Sequence, residues 1–501
     1  MDLLRTKSVE QSIRETDEPG HKLKKSLTAL DLTVFGIGVI IGTGIFVLTG
    51  QQAAINAGPA VVLSFLLAAV ACGLAALCYA EFGSTVPVAG SAYTFSYATL
   101  GEFVAWIIGW DLVLELALGA AVVARGWSAY LQTLLGLPDW LAGDKAVPDI
   151  GAIFIVAVLA TLGVVGTKLS SRFTAILVAI KLAVILLVIV LGAFYIKTEN
   201  YSPFVPAAQS PAGTEHAGIM HQPLIQVIFG LQPQVYGVFG VVAAASVLFF
   251  AYIGFDIVAT AAEETRNPQR DVPRGIIGSL IICTILYMLV SAVITGMVKY
   301  TDPRLNSADP LAEAFATVGN TWAAKIIALG AVCGITTVIL VLLLGQSRVL
   351  FAMSRDGLLP TGLARVHPRY GTPWLITVVT SICVAILAGF VPLSKLSELV
   401  SIGTLFAFVV VCLGVIILRR KRPDLPRAFK TPGVPWLPIL AILACAWLML
   451  NLPLDTWLRF VVWMVAGLLI YFVYGARHSR LALAQRLTSE EDRPSRPSAG
   501  R

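Results

Sequence analysis

Ionisable side chains interrupt several runs of otherwise apolar sequence, and four of them could do chemistry. Asp111 and Glu115 lie four residues apart in WDLVLELALG and share one face of a helix. Asp256 follows Gly254 by two residues in FFAYIGFDIVAT, and Lys181 stands alone in ILVAIKLAVILL. A charge in such surroundings costs several kcal/mol unless it is paired, hydrated or in use. The chemistry open to these groups is to hold a proton, a charged solute or one another. Enzymatic chemistry is poorly supplied, with no metal-ligand cluster, nucleophile–base pairing or cofactor motif. The five histidines fall at or beyond the edges of the apolar runs.

A second feature is glycine spacing. GIGVIIGTGIF, residues 36–46, places Gly42, Thr43 and Gly44 in the middle of a bilayer-length apolar run. A dinucleotide-binding turn would need a preceding strand and an acid about 20 residues on; neither is present. Close helix packing through Gly38 and Gly42, spaced as GxxxG, remains one reading. A helix that stops and restarts fits better. From Asp31 to Gly42 a helix rises about 16–18 Å, roughly half of the hydrocarbon core. Gly42-Thr43-Gly44 then has little helix preference. Backbone freed at that depth is tolerated only where it lines a cavity or meets a ligand. The restarted half aims unpaired N–H groups at the break, which suits a carboxylate.

The elements that must carry these residues are membrane helices. The 501-residue chain is 57% apolar and 13% charged, with mean hydropathy +0.83; soluble domains carry about 25% charged residues. Twelve spans are expected, at 31–55, 59–82, 103–134, 148–167, 173–196, 239–264, 274–298, 322–350, 374–391, 395–418, 434–452 and 455–474. Nothing shows the ten-residue alternation of a β-barrel. Lys and Arg accumulate on the cytoplasmic side, which places both termini inside. HKLKK and RRKRPDLPRAFK then lie in the cytoplasm. The outer loops hold only Lys145, Lys197, Lys299, Arg304, Lys325 and Lys395. The net charge of +7 is thus accounted for by topology and does not imply nucleic acid. The seven cysteines lie within or at the edge of spans without a CxxC pair, as small buried fillers.

An interrupted first span predicts an interrupted partner in the other half of an inverted repeat. Gly254 and Asp256 in the sixth span supply it. The chain divides into a tail 1–30, a first repeat 31–196, an outer loop 197–238, and a second repeat 239–418. A basic loop 419–433, a final helix pair 434–474 and a tail 475–501 follow. Among the other polar groups, Asp111 is a structural or gating group. Arg125, about 15 Å beyond Glu115, is expected to snorkel towards the outer surface. Lys181 is separated from Arg172 by about 13 Å of helix, which disfavours snorkelling. It can gain and lose a proton, or pair permanently with an acid. The charge clusters in EETRNPQRDVPRGI and FAMSRDGLLP can latch an inner gate, or simply signal topology.

VIIGTGIFVLTGQQAA with AGPAVVLSF, CYAEFGSTVPVAGSAYTFSYATLGEFVAWIIGWDLVLE, FFAYIGFDIVATAAEETRNPQRDVPRGI and FAMSRDGLLP resemble the amino acid–polyamine–organocation superfamily. They are most similar to the bacterial members of its cationic amino acid transporter family, in order and spacing from about residue 25 to 475. The resemblance implies an all-α integral membrane fold of the leucine-transporter type. That is a 5+5 inverted repeat with helices 1 and 6 broken, plus two C-terminal helices. It implies an α-amino acid whose carboxylate meets the amides at Thr43 and Gly44. The ammonium would go to carbonyls near Ile40 and Phe250. Phe250 would gate the site, with Ile253, Asp256 and Glu115 also binding, and Lys181 would couple to protons. The expected activity is proton-coupled symport of cationic or small neutral L-amino acids across the cell membrane. An exchanger without proton coupling and a non-transporting sensor are the alternatives. The energy source is the proton gradient, with no cofactor; lipids are partners, and an accessory subunit is left open.

Overall fold

The computed structural model describes residues 5, 27–85, 91–143, 145–165, 171–210, 219–231, 234–425, 427–481 and 483. Most of the tail 1–30, including HKLKK, the stretch 86–90 and the tail beyond 483 lie outside the described residues. Those described form helices without a β-sheet, relieved only by isolated bridges.

The helices that position the site are α1 (Ala29–Ile40), α2 (Val61–Thr85), α3 (Ser91–Thr99), α4 (Glu102–Leu135), α5 (Ile150–Val165) and α6 (Ser171–Ala193). They are followed by α7 (Gly237–Leu248), α8 (Phe255–Thr260), α9 (Pro268–Met297) and α10 (Thr321–Arg355). The last four are α11 (Trp374–Phe390), α12 (Leu393–Lys421), α13 (Trp436–Leu450) and α14 (Leu454–Ile470). Eight helical segments are long and apolar enough to cross a bilayer. One of these is the run Gly44–Thr85, which turns at Gly58 with φ 61°. Four shorter apolar helices, α1, α5, α11 and α13, accompany them. Every segment expected to span contains helix.

α4 is the central post. It packs along α10 and α12, while α9 lies against α1 and α2. Its burial is nearly complete from Asp111 to Tyr130. By contrast α2, α9 and α14 turn Leu66, Ile281 and Val462 outward, as lipid-facing helices do. A stack of Trp106, Trp110 and Trp463 fastens α14 to α4, with the Trp110 and Trp463 rings 4.4 Å apart. Their indole N–H groups donate to carbonyls across the interface: Trp106 to Gly467 and Trp110 to Trp463.

At the end of the bundle where α1 begins, contacts distant in sequence draw the elements together. Leu27 N–H donates to Glu264 O, and Arg266 N–H donates to Leu27 O. Main-chain pairing thus ties the segment after α8 to Leu27, just ahead of α1. Asp356 of FAMSRDGLLP accepts from the Tyr93 hydroxyl on α3 at 2.7 Å. Glu81, buried at the end of α2, accepts two bonds from Arg419 and one from Thr431 N. It also lies 3.4 Å from Arg427 Nε. One carboxylate thereby fixes the basic loop after α12 to the end of α2.

Two expectations about polar groups are corrected. Arg125 does not snorkel: it is 2% exposed, and donates to Val391 O and Ala146 O at 2.7 and 2.9 Å. Asp149 lies 3.7 Å from its Nε. A fork of donors finds carbonyls at helix ends closer than the surface, so it ties α4 to the loops beside α5 and α11. Of the cysteines, Cys383 is exposed and Cys333 half-buried, and the other five are buried fillers.

Candidate functional site

α1 ends where its sequence predicts, but by another residue. Ile41 is extended (φ −73°, ψ 98°), while Thr43 is already helical and Gly44 opens a π-type turn, Gly44–Leu48. The pivot is therefore Ile41–Gly42, one step before the expected triplet centre. A β-branched residue accepts extended backbone readily, so no glycine φ is consumed there. Gly44 has a different use. A Cβ on it would fall 2.4 Å from both Cα and Cβ of Ala251. Only a hydrogen lets the two main chains approach so closely.

The second interruption does use glycine's freedom. α7 tightens into the 3-10 turn Phe249–Tyr252, Ile253 is extended, and Gly254 sits at φ 119°. α8 then restarts at Phe255. Asp256 lies in its first turn and accepts from Gly254 N–H at 3.2 Å. A Cβ on Gly254 would meet Val39 and Ile40 N. The breaks thus face each other, residue 44 against 251 and residues 39–40 against 254. At the first restart Phe46 N–H reaches back to Gly42 O at 3.4 Å.

The groups around the breaks are enclosed. Ile40, Thr43, Phe250, Ile253 and Asp256 are each no more than 8% exposed. The Thr43 methyl presses on Gly126 of α4, and its Oγ1 is buried without a hydrogen-bond partner. Val338 of α10 covers Gly42 at 3.6 Å from a Cβ placed there. Lys181 on α6 is fully buried, and its ammonium donates to Gly38 O at 2.7 Å, Ile41 O at 3.1 Å and Thr337 Oγ1 at 3.3 Å. It takes no acid as partner among the described residues. Instead it covers carbonyls freed at the C-terminal end of α1, where the helix dipole is negative.

Glu115 is placed differently from Thr43. Gly126, the residue of α4 that meets Thr43, lies eleven positions on, about 16 Å along the helix. Glu115 stands within electrostatic range of Asp256 and Asp111 and beside Thr404 of α12. The carboxylate oxygens of both Glu115 and Asp111 are buried without hydrogen-bond partners. Asp111 rests against Gly403. Three acids thus gather on the side of the breaks nearer the start of α1, with the Tyr79 hydroxyl, itself unpartnered, among them.

Tyr287 of α9 was not singled out by sequence reasoning. Its buried hydroxyl lies 2.8 Å from Ile40 O and 2.8 Å from Ala251 O, so one O–H serves the freed carbonyls of both breaks. The only signal was a phenol inside an apolar span, which needs some partner. Tyr130 behaves likewise, donating to Phe46 O at 2.6 Å. Replacing Tyr287 with Phe leaves two buried carbonyls without this donor. Thermal unfolding in detergent should show a loss of about 1–2 kcal/mol; an unchanged midpoint would make the hydroxyl dispensable.

A helical bundle in which two interrupted membrane helices face each other, with ionisable groups on either side, defines a polytopic membrane carrier rather than an enzyme. Comparison with known proteins is more specific: residues 27–474 match the amino acid permease family, and the chain belongs to it, within the amino acid–polyamine–organocation superfamily. It is 48% identical to the branched-chain amino acid permease of Bacillus subtilis (strain 168), covering 96% of this chain and 99% of that one. It is 45% identical to the methylthioribose transporter of the same organism, over 92% and 95%. Cationic amino acid transporter 1 of Arabidopsis thaliana is 34% identical, over 98% and 89%. All three relatives are named as permeases or transporters.

Proposed function

We propose that this protein carries small neutral, branched-chain amino acids across the cell membrane by proton-coupled symport with alternating access. The observation that carries the reading is the facing pair of breaks, joined at Gly44 and Ala251, with an unpartnered Thr43 hydroxyl between α4 and α10. The substrate carboxylate meets the N–H groups at Thr43 and Gly44, in the first turn of the restarted half. Its ammonium goes to the carbonyls near Ile40 and Phe250, in exchange for the Tyr287 hydroxyl. Val338 and Ile253 offer the side chain an apolar wall without a counter-charge, which suits a branched aliphatic group. Phe250 closes over it, Asp256 braces the second break, and Lys181 carries the proton.

In this reading the chain has twelve spans in a 5+5 inverted repeat plus two, with both termini in the cytoplasm. The similarity to the branched-chain permease supports the substrate class. A second reading, a cationic substrate, is favoured by the unpartnered Asp111 and Glu115. An arginine or lysine side chain directed along α4 would meet them.

Reconstitution in liposomes decides between these. Leucine, isoleucine and valine should show saturable counterflow, and accumulation when the lumen is alkaline. Arginine, lysine and methylthioribose should compete weakly. Preferred arginine uptake would move the assignment to the second reading. Binding without flux would leave a sensor, and flux indifferent to the pH gradient an exchanger.

A further inference from the structure

One face of α9 is basic where the helix begins and apolar where it continues. Arg266, just before the helix, and Arg270 and Arg274 within it follow each other at intervals of four, so they line one side. Arg274, Gln269, Arg270, Pro273 and Ile277 line a cavity of about 610 Å3 whose far wall is Ala428 and Phe429 of the basic loop. A second hollow, of about 440 Å3 between Arg266 and Arg270, shares Gln269 and Arg270 with it as lining. Arg270 Nε is 3.0 Å from Asp271 Oδ1. Arg266 and Arg274 are exposed and have no acidic partner among the described residues.

The same face changes character within one turn. Beyond Ile277 it presents Ile281, Ile285 and Leu289, which are 53%, 53% and 44% exposed. From Ile281 to Leu289 the helix rises about 12 Å, close to the ~15 Å depth of one leaflet's hydrocarbon. A charge that serves topology alone needs neither a cavity nor a second wall. We propose that this face of α9, with Phe429 opposite, binds an anionic phospholipid. Its phosphate sits between Arg270 and Arg274, and its acyl chains run along Ile281, Ile285 and Leu289. Guanidinium groups suit phosphate because they offer paired donors in a planar fork. The bound lipid would join α9 to the loop that Glu81 fixes to α2.

The test is a binding measurement on the purified full chain in neutral detergent, without any transport assay. Phosphatidylglycerol should raise the unfolding temperature saturably, and phosphatidylcholine of the same chain length should not. The double variant Arg266→Gln, Arg274→Gln removes charges that hold no acidic partner among the described residues, so it should fold with the same midpoint in phosphatidylcholine. Its apparent affinity for phosphatidylglycerol should fall about tenfold or more, a loss of ~1.4 kcal/mol or greater. If that variant is unstable, Phe429→Ala, which opens the apolar wall and keeps every arginine, should weaken the lipid shift by itself. Arg365→Gln, on another loop, should leave it intact. Equal responses to the two lipids, an undiminished shift in the arginine variant, or complete displacement by inorganic phosphate would overturn the proposal.

Discussion

Gly44→Ala should weaken substrate binding about 100-fold, although the change adds a single methyl group. The new Cβ would lie 2.4 Å from Ala251 Cα and 3.3 Å from Ala251 N, well inside the 3.5–4.0 Å at which carbon atoms rest. The obstacle is main chain, so no rotamer change relieves it, and the two breaks must separate by about an ångström. Overpacking of this kind costs about 1–3 kcal/mol. Since the proposed carboxylate and ammonium sites lie on opposite sides of that contact, affinity should drop about 100-fold, or ~2.7 kcal/mol. Gly42→Ala is the matched control, because its Cβ would meet Val338 at an ordinary 3.6 Å. Calorimetric titration of both variants with leucine checks this. Wild-type affinity in Gly44→Ala would place the substrate away from the facing breaks.

That control also shows what the sequence makes legible. Gly42, Gly44, Gly254, Asp256 and Lys181 are anomalies in apolar runs, and an anomaly costs enough to need a reason. Each lies at or beside an interruption in the structure. The reasons themselves were less legible. Gly44 was expected to supply backbone freedom, whereas a helical Gly44 supplies clearance and Ile41 makes the bend. Position 44 meets position 251 only after folding, and no local pattern encodes that contact. Gly126 under Thr43 and Tyr287 across both breaks were hidden for the same reason. Arg125 misled because snorkelling is a property of a helix alone in lipid. Here Val391 and Ala146 bring their carbonyls to it from 266 and 21 positions away.

The proposed proton coupling can be separated from substrate binding because of where Lys181 sits. Its ammonium touches Gly38 O and Ile41 O, on the α1 side of the first break, and Thr337 Oγ1 on α10. Gly334 lies against its stem. In the proposed cycle a protonated Lys181 pins the end of α1 between α6 and α10. On the same proposal, loss of the proton would remove the charge that the helix-end carbonyls attract and free α1 to tilt at Ile41–Gly42. In Lys181→Met the volume stays and the donor is lost permanently. Leucine accumulation driven by an alkaline lumen should fall about tenfold or more, equivalent to at least ~1.4 kcal/mol of lost coupling. Counterflow at equal pH should persist within about threefold, because the N–H groups at Thr43 and Gly44 are untouched. An unaltered response to the pH gradient would show that the proton travels by another group, and the acids at 111, 115 and 256 would be next in line. Loss of counterflow together with accumulation would instead make Lys181 a structural clamp on α1, needed for any conformational cycle at all.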